Sequence, residues 1–274
     1  MSAVCGVCPR GCTLDEGQTG FCRARVNRGG RIVADNYGRL TALALDPIEK
    51  KPLQQFHPGS LILSAGSYGC NLRCPFCQNS DISMADATVP YTEVSPQQLV
   101  TQALSLTSRG NIGLAFTYNE PIVGLEYVCD AAALAHEAGL QTVLVSNGYC
   151  TDATLDRLLP LIDAANIDLK GFTPSFYEWV GGMLGPVQNT IRRMAGACHV
   201  EVTTLVIPGR NDSDAAMEAE AAWLASLNPE LPLHLSRFFP RYRMAGSPPT
   251  PTETLHRLRD VAKQHLRTVY LGNL

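Results

Sequence analysis

The sequence lacks the features that would direct it to nucleic acid, to a membrane or out of the cell. It carries 22 Lys and Arg against 25 Asp and Glu, a net charge of −3, so the basic face of a nucleic-acid-binding protein is not expected. No apolar run reaches the roughly 18 residues of a membrane-spanning helix. The amino terminus, MSAVCGVCPRGC, has no apolar core of the kind that a signal peptide needs. We therefore expect a cytoplasmic protein with neither nucleic acid nor a membrane among its partners.

Cysteine, in contrast, is abundant. Ten cysteines occur in a chain of 274 residues whose hydrophobic content of 45% and charged content of 17% are those of an ordinary globular protein. In a reducing compartment, clustered cysteines are metal ligands more often than they are disulfides. Seven of the ten fall into two clusters, and each cluster indicates a metal site of its own.

The chain divides by composition into two parts. Residues 1–58 form a Cys-rich segment without sustained periodicity, whereas residues 59–274 alternate apolar, often β-branched runs with amphipathic segments. Ser95 and Thr151 are predicted to cap the helices that follow them. Strands that alternate with helices indicate parallel β/α units, and six such units predict an α/β fold of the partial (β/α)6 barrel type. The six runs begin near residues 60, 111, 141, 165, 199 and 232, and a short run at 268 is a candidate seventh strand.

The stretch GCNLRCPFCQN, residues 69–79, contains Cys70, Cys74 and Cys77 in the spacing C-x3-C-x2-C. Thiolates select zinc, copper(I) or iron–sulfur clusters, and a closed zinc site takes four ligands. Three cysteines without a neighbouring fourth ligand would leave one iron of a [4Fe–4S] cluster open to a small molecule. The alternative is a zinc loop that a distant Cys or His completes.

This motif has the aromatic Phe76 before its last cysteine and follows the first predicted barrel strand. In these respects it resembles the signature of the radical S-adenosylmethionine (SAM) enzymes. The resemblance implies that the open iron binds SAM, and that the reduced cluster cleaves it to methionine and a 5′-deoxyadenosyl radical, which abstracts a hydrogen atom from a substrate. The implied cofactors are a [4Fe–4S] cluster and SAM, with an electron donor such as flavodoxin or ferredoxin.

By the same resemblance, further motifs at the strand ends bind SAM. Glu120, in TYNEP, is expected to accept the SAM amino group, although N-E-P is also a helix start. Asp168 and Lys170, in DLK, would point the same way from a strand, and they are the expected catalytic and cofactor-binding pair unless they are merely exposed. The other implied cofactor-binding residues are Phe76, Thr117, Tyr118, Asn119, Ser146, Asn147, Val206 and His234. A plain turn at SNGY and a structural role for His234 are the alternatives.

The match extends over nearly the whole chain. The stretches DPIEKKPL, TYNEP, NIDLKGF and HLSRFFPRY together resemble the radical SAM proteins grouped with pyruvate formate-lyase activating enzymes, and within that group the AmmeMemoRadiSam subgroup. The subgroup implies Memo and AMMECR-type partners and a small molecule or peptide as substrate. The alternative is an activating enzyme that generates a glycyl radical on a partner enzyme. Either would be an anaerobic enzyme.

The first cysteine cluster, Cys5, Cys8, Cys12 and Cys22, is spaced C-x2-C-x3-C-x9-C. Four thiolates suit a closed site, which either tetrahedral zinc or an auxiliary [4Fe–4S] cluster would fill, and a metal would compensate for the weak core of so short a segment. Zinc is slightly favoured, because the segment looks like a structural knuckle, and four free thiols are the remaining alternative. We expect this site to be independent of the second cluster.

The charged stretch DPIEKKP, residues 46–52, has two interpretations. It is a solvated loop, as most charge runs are, or by its position in the family it covers the mouth of the barrel, where Lys50 or Lys51 would meet the substrate.

Overall fold

One large sheet organises the chain, which a computed structural model describes over residues 1–274. The strands are β1 (Ala3–Val4), β2 (Thr13–Leu14), β3 (Arg25–Arg28), β4 (Arg31–Ala34), β5 (Arg39–Leu40), β6 (Ala42–Pro47), β7 (Leu61–Gly66), β8 (Thr92–Glu93), β9 (Asn111–Phe116), β10 (Gln141–Ser146), β11 (Ala164–Asp168), β12 (His199–Val206), β13 (Leu233–Arg237) and β14 (Val269–Gly272). The helices are α1 (Ser80–Ser83), α2 (Pro96–Ser105), α3 (Leu125–Glu137), α4 (Asp152–Leu158), α5 (Pro174–Trp179), α6 (Leu184–Ala195), α7 (Asp214–Leu227) and α8 (Thr252–Ala262).

The large sheet has eight strands in the order β14-β13-β12-β11-β10-β9-β7-β6. Its seven strands from β7 to β14 run parallel, and helices connect them, so the predicted α/β fold of partial-barrel type is confirmed. The run at 268 is indeed a seventh parallel strand. The two edge strands do not pair with each other, which leaves the barrel open.

The predicted helix starts are also confirmed. The Ser95 hydroxyl accepts a bond from the backbone N–H of Gln98, whose side chain accepts one in return, and Thr151 caps α4 in a similar way. No helix of the chain is both long enough and apolar enough to cross a membrane.

The sheet begins before the predicted domain boundary. Strand β6, within residues 1–58, pairs antiparallel with β7 from Ala42 opposite Gly66 to Pro47 opposite Leu61. The division of the chain at residue 58 therefore stays a prediction, and the structure joins part of the first segment to the barrel.

The stretch between β6 and β7 corrects one expectation, because it fills the barrel instead of covering its mouth. Ile48 and Leu53 are fully buried against Ile62, Val143 and Ala164, which point into the barrel from three strands. Residues 58–60 connect this stretch to Leu61, the first residue of β7, so the filling lies at the amino-terminal ends of the strands. We call residues 48–57 the plug. Chemistry in barrels of this type lies at the opposite edge.

A buried carboxylate fixes the plug to the barrel wall. Glu201 of β12 accepts hydrogen bonds from the backbone N–H groups of Gln54 and Gln55 at 3.0 and 2.8 Å, and from His199 and His234 at 3.0 and 2.6 Å. Burial alone would raise the pKa of Glu201, but these four hydrogen bonds lower it to about 2.

Replacing this carboxylate should loosen the plug. In Glu201→Gln, one acceptor oxygen becomes an NH2 group that faces N–H donors, so we expect a loss of roughly 2–4 kcal/mol of unfolding free energy at pH 7. Because the folded pKa lies below that of an unfolded Glu, the wild-type contribution is complete above about pH 4.5 and is lost as the pH falls towards 2. Urea unfolding at pH 7 and pH 4 measures both effects.

The exposed Glu137, which makes no side-chain bond, supplies the matched control Glu137→Gln. Equal stabilities for the two variants would show that Glu201 does not hold the plug.

Candidate active site

The three cysteines of the second cluster lie in the loop that follows β7. Cys74 is buried, and Cys70 and Cys77 are partly buried, with all three as free thiols. The backbone N–H of Leu72 donates to the Cys70 Sγ at 3.4 Å, and the Arg73 guanidinium donates to the Cys70 carbonyl at 3.2 Å. The loop therefore presents three sulfur atoms at the carboxyl end of the first parallel strand, as the barrel architecture requires of reactive groups.

Asn119 holds the start of this loop. Its side-chain oxygen accepts from the Ser67 N–H at 2.9 Å, and its NH2 group donates to the carbonyls of Tyr68 and Gly69, both at 3.1 Å. The predicted contact between Asn119 and SAM is therefore not supported by its position. Three of its four side-chain bonds go to the backbone just before Cys70, which makes it a positioning residue.

Glu120 is the most connected carboxylate of the site. It is 2% exposed and accepts hydrogen bonds from the Ser146 hydroxyl at 2.7 Å, the Asn147 N–H at 2.8 Å and the Ile122 N–H at 3.1 Å. Burial raises the pKa of Glu120 to about 7 despite these three bonds. Two of the bonds go to one oxygen and one to the other, so a lone pair of Oε2 is left for a further donor such as an ammonium group.

Ser146 and Asn147, both predicted to bind the cofactor, lie next to each other at the end of β10. The Ser146 hydroxyl is committed to Glu120, whereas the Asn147 side chain faces the cysteine loop. Its NH2 group lies 3.7 Å from the Cys70 Sγ and donates to the Asn71 side-chain oxygen at 2.9 Å. Asn147 is thus a direct neighbour of a predicted cluster ligand.

Asp168 and Lys170 form the predicted pair at the end of β11. The Lys170 Nζ donates to Asp168 Oδ2 at 2.7 Å. The Lys170 side chain is 18% exposed and the Asp168 side chain 33% exposed, so a ligand can reach both. Burial alone would lower the pKa of Lys170, but the negative charge of Asp168 and its hydrogen bond to the ammonium raise it. Lys170 therefore stays a cation beside the cysteine loop, suited to hold a carboxylate.

Thr117 and Tyr118 lie at the end of β9, and Tyr118 turns into the barrel. It adopts a left-handed backbone with φ of 71°, and its hydroxyl donates to Asp46 Oδ2 at 2.5 Å. The same oxygen accepts from the buried Lys51 Nζ at 2.8 Å. Burial alone would raise the pKa of Asp46, but the bonds from Lys51 and Tyr118 lower it to about 2.

Sequence reasoning missed this group. The charges of DPIEKKP were interpreted as a solvated loop or as a cover over the barrel mouth. Of the two lysines expected to meet substrate, Lys51 is 3% exposed and paired with Asp46, whereas Lys50 is 68% exposed. The fully buried Ile48 and Leu53, one on each side of the two lysines, were the available signal for an inward turn.

Three other residues predicted to bind the cofactor pack against other side chains of the protein. Phe76 is buried and packs its ring on Trp179, with ring centres 5.4 Å apart. Val206 is fully buried in the main core at the end of β12. His234 bonds Glu201 and stacks on Tyr270, so its predicted role in binding a ligand gives way to the structural alternative.

The four cysteines of the first cluster also come together. Cys5, Cys8, Cys12 and Cys22 line one cavity, which the β1–β2 hairpin and the turn before β3 enclose. The two cysteine clusters are neighbours in the structure, because the Cys70 N–H donates to the Cys22 carbonyl at 3.2 Å. That their metals are independent stays a prediction.

The second cysteine cluster fits an iron–sulfur cube better than a single ion. No three His, Cys, Asp or Glu side chains of the chain converge closely enough to hold one metal ion. A [4Fe–4S] cube does not need such convergence, because each thiolate binds a different iron. The soft donor set, its burial and the absence of a fourth thiol in the loop suit a cube with one open iron.

Comparisons with a family model and with curated proteins agree on the family of this chain. A family model described as the Radical SAM superfamily matches residues 65–222. An uncharacterized protein of Methanocaldococcus jannaschii is 39% identical over 274 aligned residues, which cover 98% of this chain and 81% of that protein. The pyruvate formate-lyase 1-activating enzyme of Escherichia coli is 24% identical over 213 residues, which cover 72% of this chain and 86% of that enzyme.

Solved structures show the same fold. A domain of pyruvate-formate lyase-activating enzyme from Bacteroides vulgatus superposes with a TM-score of 0.51 at 20% identity, over 59% of this chain and 99% of that domain. SuiB of Streptococcus suis, bound to S-adenosylmethionine, gives a TM-score of 0.60 at 11% identity, over 78% of this chain and 52% of that one.

Removing the three thiols should remove one metal centre and leave the other. In the triple variant Cys70→Ala, Cys74→Ala and Cys77→Ala, we expect a loss of about four irons per chain, since the ligands of one cube are gone. The backbone bond from residue 70 to Cys22 survives, so the first cysteine cluster should keep its metal. Iron analysis and the visible absorbance of the anaerobic protein measure this, and unchanged iron content would show that the loop holds no cluster.

The contribution of Glu120 to SAM binding can be tested separately from its support of the cysteine loop. We expect Glu120→Gln to weaken SAM binding by roughly 1.5–3 kcal/mol, because a bond between an ammonium and a carboxylate is lost. Ser146→Ala removes a donor to Glu120 but leaves the carboxylate, and it should cost less than half as much affinity.

Calorimetry on the reconstituted protein compares the two variants, and thermal unfolding without SAM reports damage to the loop. Equal losses of SAM affinity in both variants would mean that Glu120 acts only through the loop.

Proposed function

The chain belongs to the radical SAM superfamily, and we propose that it reductively cleaves SAM and abstracts a hydrogen atom from a small molecule or peptide. A [4Fe–4S] cluster held by Cys70, Cys74 and Cys77 would supply the electron that breaks a carbon–sulfur bond of SAM. The observation that carries the proposal is the accessible Asp168–Lys170 pair beside the cysteine loop, facing the same strand ends as the buried Glu120. Two opposite charges there match the carboxylate and the ammonium of an amino acid.

The residues of the chain divide the work of binding SAM. Glu120 takes the amino group on its remaining lone pair, and Lys170 holds a carboxylate of SAM or of the substrate. Asp168 keeps the Lys170 ammonium in place. Asn147 donates towards Cys70 and fixes the loop, while Thr117 and Tyr118 lie at the neighbouring end of β9. SuiB, whose structure was solved with S-adenosylmethionine bound, shares the fold.

A second function is favoured by the similarity to pyruvate formate-lyase activating enzymes. In that case the hydrogen atom would come from a glycine of a partner enzyme. The sequence features of the AmmeMemoRadiSam subgroup, with Memo and AMMECR-type partners, favour the first function instead. Flavodoxin or ferredoxin would serve as electron donor in both cases, in an anaerobic cytoplasm. We also propose that Cys5, Cys8, Cys12 and Cys22 bind a metal centre, zinc or iron–sulfur, within a segment that comprises residues 1–58.

The decisive measurement is 5′-deoxyadenosine released by the reconstituted, reduced protein. We expect its formation from SAM to depend on Cys70, Cys74 and Cys77 and to increase with a fraction of cell extract that contains the substrate. Deuterium transferred from a labelled metabolite or peptide into 5′-deoxyadenosine would establish the first function. A glycyl radical detected by EPR on a copurifying protein would establish the second. No 5′-deoxyadenosine from protein with a full iron content would refute both.

A further inference from the structure

Glu220 is a buried carboxyl group to which the proposed mechanism gives no role. It lies on α7 beside Met217, Ala221 and Leu224, the apolar stripe that packs into the main core, and it is 2% exposed. It takes part in no ion pair, and its one hydrogen-bond partner is the Thr204 hydroxyl of β12. Burying an ionised carboxylate without a cation is costly, so Glu220 has to gain a proton or a strong partner.

The hydrogen bonds of Thr204 decide between these two states. The Thr204 hydroxyl lies 3.0 Å from the Leu169 carbonyl oxygen and also within hydrogen-bond distance of Glu220 Oε1. A hydroxyl donates one proton and accepts on two lone pairs. If Glu220 were ionised, two acceptors would compete for that one proton, and one of them would stay unsatisfied in the core. If Glu220 is the acid, its O–H donates to Thr204 and Thr204 donates to Leu169, so all three groups are satisfied.

The surroundings of Glu220 agree with a neutral acid. Burial raises the pKa of Glu220 to about 8, and the bond with Thr204 is the only influence that lowers it. Tyr177 of α5 is the titratable side chain that faces Glu220, and burial raises the pKa of Tyr177 as well. Neither group therefore supplies a charge to the other.

The charged groups of the neighbouring elements bind elsewhere. Glu201, on the same strand as Thr204, holds the plug inside the barrel, and Lys170 pairs with Asp168. Arg257 of α8, the helix packed beside α7, pairs with Asp214 at the start of α7. No cation is left to pair with an ionised Glu220.

The carbonyl that Thr204 holds belongs to the peptide bond between Leu169 and Lys170. The N–H of the same peptide donates to the Tyr177 hydroxyl at 3.2 Å, and the carbonyl of Lys170 accepts from the Asn211 NH2 group at 3.2 Å. These three contacts fix the backbone on both sides of Lys170, just after β11 ends. They therefore set where the Lys170 ammonium lies beside the cysteine loop.

We propose that Glu220 is a positioning residue that works as a neutral acid: through Thr204 it holds the Leu169 carbonyl and so places the Lys170 ammonium for the carboxylate of SAM. Loss of the Glu220 proton would turn the Thr204 hydroxyl towards the carboxylate, because a charged acceptor binds it more strongly than a neutral one. The Leu169 carbonyl would then lose its donor. The inference rests on the proposed function in giving the SAM carboxylate to Lys170, whereas the proton on Glu220 does not.

The proton on Glu220 is tested by infrared spectroscopy of the full chain, reconstituted anaerobically with iron and sulfide. We expect the C=O band of a protonated carboxyl group at pH 7 in the wild type, lost in Glu220→Gln and retained in Glu218→Gln, which changes an exposed residue of the same helix. The band should disappear with a midpoint near pH 8. Glu120 contributes equally to all three proteins, so the difference spectrum isolates Glu220. Identical spectra for the wild type and Glu220→Gln would overturn the proposal.

The stability of the fold reports the same proton. Because the folded pKa of Glu220 lies above that of an unfolded Glu, its contribution to stability is complete below about pH 4.5 and is lost as the pH rises to about 8. Urea unfolding should therefore show Glu220→Gln gaining stability relative to the wild type between pH 5 and pH 8. A constant difference between the two proteins over this range would show that Glu220 carries no proton.

The positioning role is tested by calorimetry of SAM binding. Thr204→Val removes the hydroxyl at nearly the same volume, and we expect SAM affinity at pH 7 to fall about three- to tenfold, the equivalent of one hydrogen bond. Thr204→Ser restores the hydroxyl and should recover the affinity. In Glu220→Gln the NH2 group can donate to Thr204 at every pH, so this variant should lose less SAM affinity than the wild type between pH 7 and pH 9. The amino group of SAM titrates equally with both proteins.

Undiminished SAM affinity in Thr204→Val, or the same pH profile in the wild type and Glu220→Gln, would overturn the positioning role. Full SAM affinity in Lys170→Gln would instead refute the role proposed for Lys170, and with it the placement of its ammonium by Glu220. The infrared band of the Glu220 acid would be unaffected by that result, so the two failures are distinguishable.

Discussion

The buried carboxylate of Glu120 is the interaction on which the site depends. A carboxylate that is 2% exposed is costly to bury unless donors satisfy it, and its three donors come from two separate segments of the chain. Ser146 and Asn147 end β10, while Ile122 begins the turn towards α3. Because Asn147 also reaches the Cys70 sulfur, the position of the cysteine loop follows from the same network. The same network therefore supports the loop that presents the three thiols.

The two ends of the barrel differ in how far they are filled and in how far their charged groups are exposed. At the amino-terminal end, Ile48 and Leu53 of the plug fill the interior, and Glu201 satisfies the plug's backbone. At the carboxyl end, Asp168 and Lys170 keep partial exposure beside the cysteines. A closed end with satisfied polar groups gives rigidity, and this allows the other end to carry charges that a ligand completes.

Periodicity and motif spacing predicted the strands and the three-cysteine loop, because both are local properties of the sequence. The partners of Asn119 and His234 could not be predicted in the same way. Asn119 bonds backbone groups about fifty residues earlier, and His234 bonds Glu201 across two strands, so their roles depend on register and on which face of a strand is inward. Resemblance gave both residues contacts with the ligand, whereas in the folded chain Asn119 bonds the start of the cysteine loop and His234 bonds Glu201. The plug was missed for a related reason, since a charge run was weighed without the apolar residues on either side of it.

The contact between the two cysteine clusters explains why they cannot be treated as separable modules. Gly69, just before Cys70, has a φ of 91°, and a Cβ there would lie 2.5 Å from the Cys22 carbonyl. Only a glycine lets the two backbones approach so closely and still turn in the left-handed sense. Arg73 adds a guanidinium 3.7 Å from the ring centre of Phe21, on which Arg10 also stacks. The amino-terminal segment therefore forms part of the wall that shapes the cysteine loop, and its removal would deprive Cys70 of a backbone partner. A segment joined to the reactive loop in this way supports that loop.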